Sequence, residues 1–182
     1  MEAVTRLAQP DARDVIASAA AGDEYAFRRI IAAHHDDMRR VCVYVAGDHA
    51  IADEATQAAW VIAWKKIGSV REPARLRPWL MAVAANEAKQ LLRKRRRRAE
   101  IEIIADASSE PGGRDPATGV SGIDLRAAMS RLHPADRELI ALRYVAGFDS
   151  NELAIATGMK PGTVRQRLRR LLDRLRKDIN DV

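Results

Sequence analysis

The sequence predicts an all-α fold: two small helical domains, an N-terminal helical bundle and a C-terminal helix-turn-helix, joined by a flexible linker. Three observations predict it. Apolar residues recur at helical spacing through most of the 182-residue chain, and strand-like alternation is nearly absent. The periodicity lapses between about 99 and 122, where Ser108-Ser109-Glu110-Pro111-Gly112-Gly113 and Asp115-Pro116-Ala117-Thr118-Gly119 carry turn and linker chemistry. Hydrophobic residues make up 47%, enough for real cores and too many for global disorder.

The elements follow in order. Residues 14–46 read as helices broken near Gly22-Asp23, with Asp23 placed to cap the segment that opens Glu24-Tyr25-Ala26-Phe27. Gly47-Asp48-His49 is a second break, and a helix then runs from about Ile51 to Ile67. Gly68-Ser69 and Pro73 mark a loop. The next helix starts near Arg77-Pro78-Trp79, where proline is tolerated in a first turn, and runs into the basic tract Arg93–Arg98. Ile101-Glu102-Ile103-Ile104 reads as a short strand without a partner. Helices resume near Ile123. The expected organisation is a first domain over 14–98, a flexible and mostly acidic linker over 99–122, and a second domain over 123–180.

Charge and composition narrow the function. The formal net charge is +6, from 31 Lys+Arg against 25 Asp+Glu, which favours a polyanionic partner. Cys42 is the single cysteine, so no internal disulfide is possible and a reducing, cytoplasmic setting is expected. The first residues carry no long apolar core of a signal peptide, and no apolar run approaches the roughly 20 residues of a membrane span. None of the common phosphate-loop, nucleophile-elbow or zinc-protease patterns occurs. His34, His35, His49 and His133 with Cys42 lack structural-zinc spacing. The expectation is a non-enzyme with no cofactor and no metal.

Residues 149–172, DSNELAIATGMKPGTVRQRLRRLL, carry the sharpest pattern. Asp149 with Glu152 three places on forms an Asp variant of the capping box and opens a short helix. Gly158 suits the left-handed residue that ends it, and Pro161 suits the first turn of the next. On that second helix Val164, Leu168 and Leu171/Leu172 share an inward face. The opposite face holds Gly162, Thr163, Gln166, Arg169 and Arg170, flanked by Arg165 and Arg167. Such a helix fits a major groove, where Arg reads guanine and Gln reads adenine. The competing reading is an amphipathic helix with a solvated basic face.

The helix RPWLMAVAANEAKQLLRKRRRR buries Leu80, Val83, Ala84 and Leu91 on one face. Asn86, Lys89 and Arg93 form a stripe opposite, and Arg96 and Arg97 continue it, so the helix can follow a DNA backbone and touch bases. Trp79 reads as core. In IADEATQAAWVIAWKKI, Asp53, Gln57, Trp60 and Trp64 fall near one stripe. That stripe is either a protein-binding surface or, above all for Trp64, core packing.

Both modules, in this order, resemble the sigma-70 family of bacterial transcription initiation factors, and the two-domain size fits its extracytoplasmic-function (ECF) subfamily. Three segments carry the resemblance: IADEATQAAWVIAWKKI, RPWLMAVAANEAKQLLRKRRRR, and LHPADRELIALRYVAGFDSNELAIATGMKPGTVRQRLRRLLDRL. Departures from the family pattern include Ile51, Glu54, Ala58 and Trp60.

The resemblance implies a sigma-2-like first domain. It would dock on the beta-prime clamp helices of core RNA polymerase through Asp53, Glu54, Gln57 and Trp60. It would also melt and read the promoter -10 element with Asn86 and Lys89, joined by Arg93, Arg96 and Arg97. The loop at 68–77 would hold an extruded base. A sigma-4-like second domain would contact the beta flap and read the -35 element with Gly162, Thr163, Arg165, Gln166, Arg169 and Arg170. The linker acids Glu100, Glu102, Asp106, Glu110 and Asp115 would mimic a nucleic-acid strand. An anti-sigma factor is the expected inhibitor. The nearer rival is a stand-alone helix-turn-helix regulator that binds duplex DNA without polymerase.

Overall fold

The computed structural model describes residues 11–105 and 128–180; the expected flexible linker beyond 105, with its acids Asp106, Glu110 and Asp115, lies outside the described residues. No strand occurs among the described residues. Each early helix starts on an aspartate that accepts from free backbone N–H groups of its first turn. Asp11 accepts from Arg13 N at 3.2 Å and opens α1 (Ala12–Ala20). Asp23 accepts from Tyr25 N at 2.8 Å and Ala26 N at 3.2 Å and opens α2 (Glu24–Ala46). Asp48 accepts from Ile51 N at 2.9 Å and opens α3 (His49–Lys66), two residues before the sequence pattern places it. Between α2 and α3, Gly47 takes a left-handed φ of 71°, so the chain reverses within one residue.

Two short 3-10 turns, Ile67–Ser69 and Pro73–Arg75, form the loop before α4 (Leu76–Ala105). α4 is 30 residues long and continues through 99–105, past the expected start of the linker. The stretch Ile101–Ile104 is therefore helix and not a short strand. It extends a helix that has no proline or glycine after Pro78 in the first turn to stop it, and it has no strand partner among the described residues.

Helices α2, α3 and α4 pack on one another, with α1 laid across α2. The interior combines large residues, Met38, Leu80 and Met81, with the small Ala52, Ala55, Ala59, Ala63, Ala84, Ala85 and Ala88. The alanines let backbones approach closely, while each buried Leu or Met stabilises the bundle by about 1.5–3 kcal/mol. Cys42 lies fully inside, its Sγ 3.4 Å from the Ala84 carbonyl oxygen. Burial pushes its thiol up to about 11, so it is an inert core residue.

The second domain begins, within the described residues, with helical residues 128–130 and Leu132. His133 then caps α5 (Pro134–Ile140), its Nδ1 accepting from Ala135 N at 3.3 Å. A π-helical turn, Ala141–Val145, follows and leads to α6 (Ser150–Thr157) and α7 (Pro161–Asn180). Leu139, Leu142, Phe148, Leu153, Val164, Leu168, Leu171 and Leu175 form its core. The two domains are in contact: α2 and α4 pack against α5 and the π turn, and α4 also meets α6.

Candidate nucleic-acid and polymerase interface

The helix expected to read DNA is built by local chemistry. Asp149 accepts from Asn151 N at 2.7 Å and Glu152 N at 2.8 Å, while Glu152 accepts from Asp149 N at 2.8 Å. This closes the capping box the sequence predicts. Gly158 ends α6 at φ 70°, and α7 starts at Pro161. Val164, Leu168, Leu171 and Leu175 anchor α7 on its inner side. Gly162, Thr163, Arg165, Gln166, Arg169 and Arg170 are all exposed together on the outer side.

Arg167 does something different. Its Nε donates to Asp136 Oδ1 at 2.7 Å, and Nη1 lies 3.7 Å from Met159 Sδ. The side chain ties α7 to α5 and to the turn before it, so it sets the helix's pose from the inner flank. A cleft of about 360 Å³ beside α7 is lined by Tyr144 and the arginines Arg143, Arg165, Arg169 and Arg176. Tyr144 and Ile155 are exposed in this domain, and no periodicity in the sequence singles them out.

On α4, Asn86, Arg93, Arg96 and Arg97 stand on the side expected of them, with the arginines of the tract exposed. Lys89 does not: its Nζ lies 2.7 Å from Glu138 Oε1 of α5, with only 15% of the lysine and 5% of the glutamate side chain exposed. Lys89, expected in the basic stripe, thus faces the second domain, which covers it. Arg95, also within the tract, pairs with Asp48 at 3.2 Å. The Ile51 N–H and Arg95 together hold the Asp48 carboxyl below the usual carboxylate range, against burial.

On α3, Asp53, Glu54 and Gln57 lie on the accessible side. Asp53 accepts from Arg39 Nε at 2.7 Å. The tryptophans exchange the places expected of them. Trp60 is 9% exposed, stands edge-on to Phe27 at 5.8 Å, and donates its indole N–H to His35 Nδ1 at 3.2 Å. It belongs to the core and is not a surface contact. Trp64, expected in the core, is 38% exposed with one side against Phe27 at 4.9 Å. Val61, also exposed, fills the surface stripe between Gln57 and Trp64. Trp79 is half-buried against the core, as expected.

No group of three or more potential metal-binding side chains occurs among the described residues. No described helix is long and apolar enough to cross a membrane.

A basic helix on a small bundle, followed by a capped helix-turn-helix with an exposed Arg/Gln/Thr face, defines the class of a two-domain helical protein suited to DNA. Comparison with known proteins makes this specific. Residues 30–98 match Sigma-70 region 2, and residues 123–175 match Sigma-70, region 4. The chain is 30% identical to the ECF RNA polymerase sigma factor RpoE of Cereibacter sphaeroides, over 71% of this chain and 72% of that one. It is also 30% identical to the probable RNA polymerase sigma factor RfaY of Xanthomonas campestris pv. campestris, over 88% of this chain but only 42% of the relative's length. A solved structure of the sigma factor RpoE, in complex with the anti-sigma factor NepR from Bartonella quintana, shares the fold: TM-score 0.70, 23% identity, 85% of this chain and 96% of that one. The chain belongs to the ECF subfamily of the sigma-70 family of RNA polymerase sigma factors. Members of that family are DNA-binding initiation factors rather than enzymes.

Proposed function

We propose that this chain is an alternative sigma factor acting in the cytoplasm, without catalysis or cofactor, by joining core RNA polymerase and directing it to specific promoters. Residues 14–98 form the part that holds polymerase and opens the -10 element, and 123–180 the part that reads the -35 element, with 99–122 between them. The observation that carries the reading is the outer face of α7, where Thr163, Arg165, Gln166, Arg169 and Arg170 stand exposed on a helix fixed by its own core and caps. Paired donors on such a face read base edges in the major groove, and flanking arginines hold phosphates.

Asn86, Arg93, Arg96 and Arg97 supply the -10 contacts, joined by Lys89 once it is free of Glu138. Asp53, Glu54 and Gln57, with Val61 and Trp64 in place of Trp60, supply the face toward the beta-prime clamp helices. The second domain also docks on the beta flap. Since the Bartonella relative was solved with an anti-sigma factor, a protein inhibitor of that class is the expected regulator here.

Co-purification with core polymerase, followed by run-off transcription, tests the reading. The expected result is stable binding to core and promoter-dependent transcripts. Tight binding to duplex DNA with no affinity for core would replace it with a stand-alone helix-turn-helix regulator.

A further inference from the structure

Arginines crowd α7. Arg165, Arg167, Arg169, Arg170, Arg174 and Arg176 all lie on it, and by charge alone each could hold a DNA phosphate. The structure sets Arg167 apart from Arg165, Arg169 and Arg170, which stand exposed. Its Nε donates to Asp136 Oδ1 at 2.7 Å, and its Nη1 meets Met159 Sδ at 3.7 Å. Of the two charged side chains, 39% of Arg167 and 14% of Asp136 are exposed. Asp136 is fixed as an anion in the first turn of α5, where the helix dipole favours negative charge. Met159 is held in turn by its own N–H, which donates to the Ala154 carbonyl at 3.1 Å. Arg167 therefore joins three pieces of the domain: α5, the turn after α6, and α7.

The apolar side of α7 sets its depth more than its rotation. Val164, Leu168, Leu171 and Leu175 hold the helix to the core by hydrophobic burial, which has no preferred direction. The ion pair does have one. Base reading is directional too, since donor and acceptor must meet at about 2.7–3.2 Å. Side chains extend about 6 Å from a helix axis, so turning α7 by about 20° would shift their ends by about 2 Å. That shift breaks a paired hydrogen bond to a base edge. It barely alters the pull of an arginine on a phosphate, which acts over a screening length of about 8 Å. Rotation of α7 thus costs sequence preference far more than it costs affinity.

From this we infer that Arg167 and Asp136 form a specificity-determining pair: Arg167 holds no phosphate, and instead fixes the rotation of α7 so that Arg165, Gln166, Arg169 and Arg170 meet the DNA in register. The inference rests on the proposal above that α7 reads the -35 element. It withdraws Arg167 from the phosphate-holding group in which its charge and spacing put it. A guanidinium committed to a carboxylate at 2.7 Å on the inner flank already has its charge compensated. Asp136, on another helix and of the wrong sign for DNA, influences promoter choice through Arg167 without touching the duplex. Both are positioning residues, and the contacts themselves are made by their exposed neighbours.

Holoenzyme assembled from the full-length chain and core polymerase tests the pair on a duplex library randomised at the -35 element. Sequencing the bound fraction gives the preference, and anisotropy over a salt series gives the slope of log affinity against log salt. R167Q and D136N are each expected to lower the preference for the selected duplex over a scrambled one about tenfold, the size of one lost bidentate base contact. The double variant should do no worse than either single one, because both remove the same pair. R167Q should leave the salt slope unchanged, whereas R169Q should flatten it by about 0.9. A flattened slope in R167Q beside a silent D136N makes Arg167 a phosphate contact and overturns the inference. An unchanged preference in both variants does the same. If the variants lose their helical circular-dichroism signal, the wild type decides. Dicarbonyl labelling of arginines with mass mapping should mark Arg167 more slowly than Arg165 and Arg169, and the selected duplex should shield those two without changing Arg167. Equal labelling, or shielding of Arg167 by the duplex, refutes the pair. If Q166A and R169Q leave the selected sequence unchanged, α7 is not the reader, and the inference falls with the proposal it rests on.

Discussion

At the scale of single residues, short-range chemistry is the most legible. Asp23, Asp149, Glu152, Gly158 and Pro161 do what their types and spacing predict, because each acts on backbone groups within a few positions. D149A removes the acceptor for both N–H groups of the box and is expected to cost about 1 kcal/mol, read as a fall of several degrees in the melting temperature followed by circular dichroism. Trp60 and Trp64 show the opposite case. Four residues apart on a helix, they lie only about 40° apart around it, so periodicity assigns both to one stripe. Phe27 of α2 touches both, and it is the packing of Trp60 on α2, with its indole N–H donated to His35, that takes Trp60 inside. Arg167 is similar: Arg165, Gln166, Arg169 and Arg170 face outward, but Asp136 turns this one guanidinium toward α5.

At the scale of elements, α4 joins the core to a basic surface. Its inner face is closed by Leu80, Met81, Ala84, Ala85 and Ala88, and its outer face bears the basic tract. The tract is not uniform. Arg95 is committed to Asp48, whereas Arg96, Arg97 and Arg98 are exposed. Replacing Arg96, Arg97 and Arg98 by Gln is expected to weaken promoter binding by the holoenzyme with little change in sequence preference. The slope of log affinity against log salt should flatten by about 0.9 for each phosphate no longer neutralised. Anisotropy titrations over a salt series, on a cognate and a scrambled promoter, check both statements. A large change in promoter choice would mean that these residues read bases.

At the scale of the whole molecule, the ion pairs that tie helices and domains together bring acid sensitivity. Burial alone would raise the Asp37 carboxyl, but hydrogen bonds from Arg40 and Arg77 outweigh it and hold it low. Asp48 is held low by the Ile51 N–H and by Arg95. His34 is lowered by burial and by the Arg77 charge. All three groups bind protons less readily in the fold than in the unfolded chain, so stability is highest above their unfolded values and falls as pH falls. The His34 contribution fades as pH drops below about 6.5, and the two aspartates follow below about 4. Urea unfolding at stepped pH is expected to show midpoints that decline through these two windows. D37N should shrink the lower one. Because Asp37 also holds Arg77 against Ala146, the same variant should loosen that contact.

The sequence by itself determined most of the helices, the Asp23 and Asp149 caps and the outer face of α7, together with the family, because periodicity and capping act over a turn or two of chain. It also marked Asn86, Arg93, Arg96 and Arg97 as one stripe. Only the tertiary structure decided that Lys89 leaves this stripe for Glu138, on a helix of the other domain, and that Trp60 yields its surface place to Val61 and Trp64. The reason is the same in both cases. A helical pattern fixes which side chains share a face, but burial and ion pairing depend on which other element that face meets.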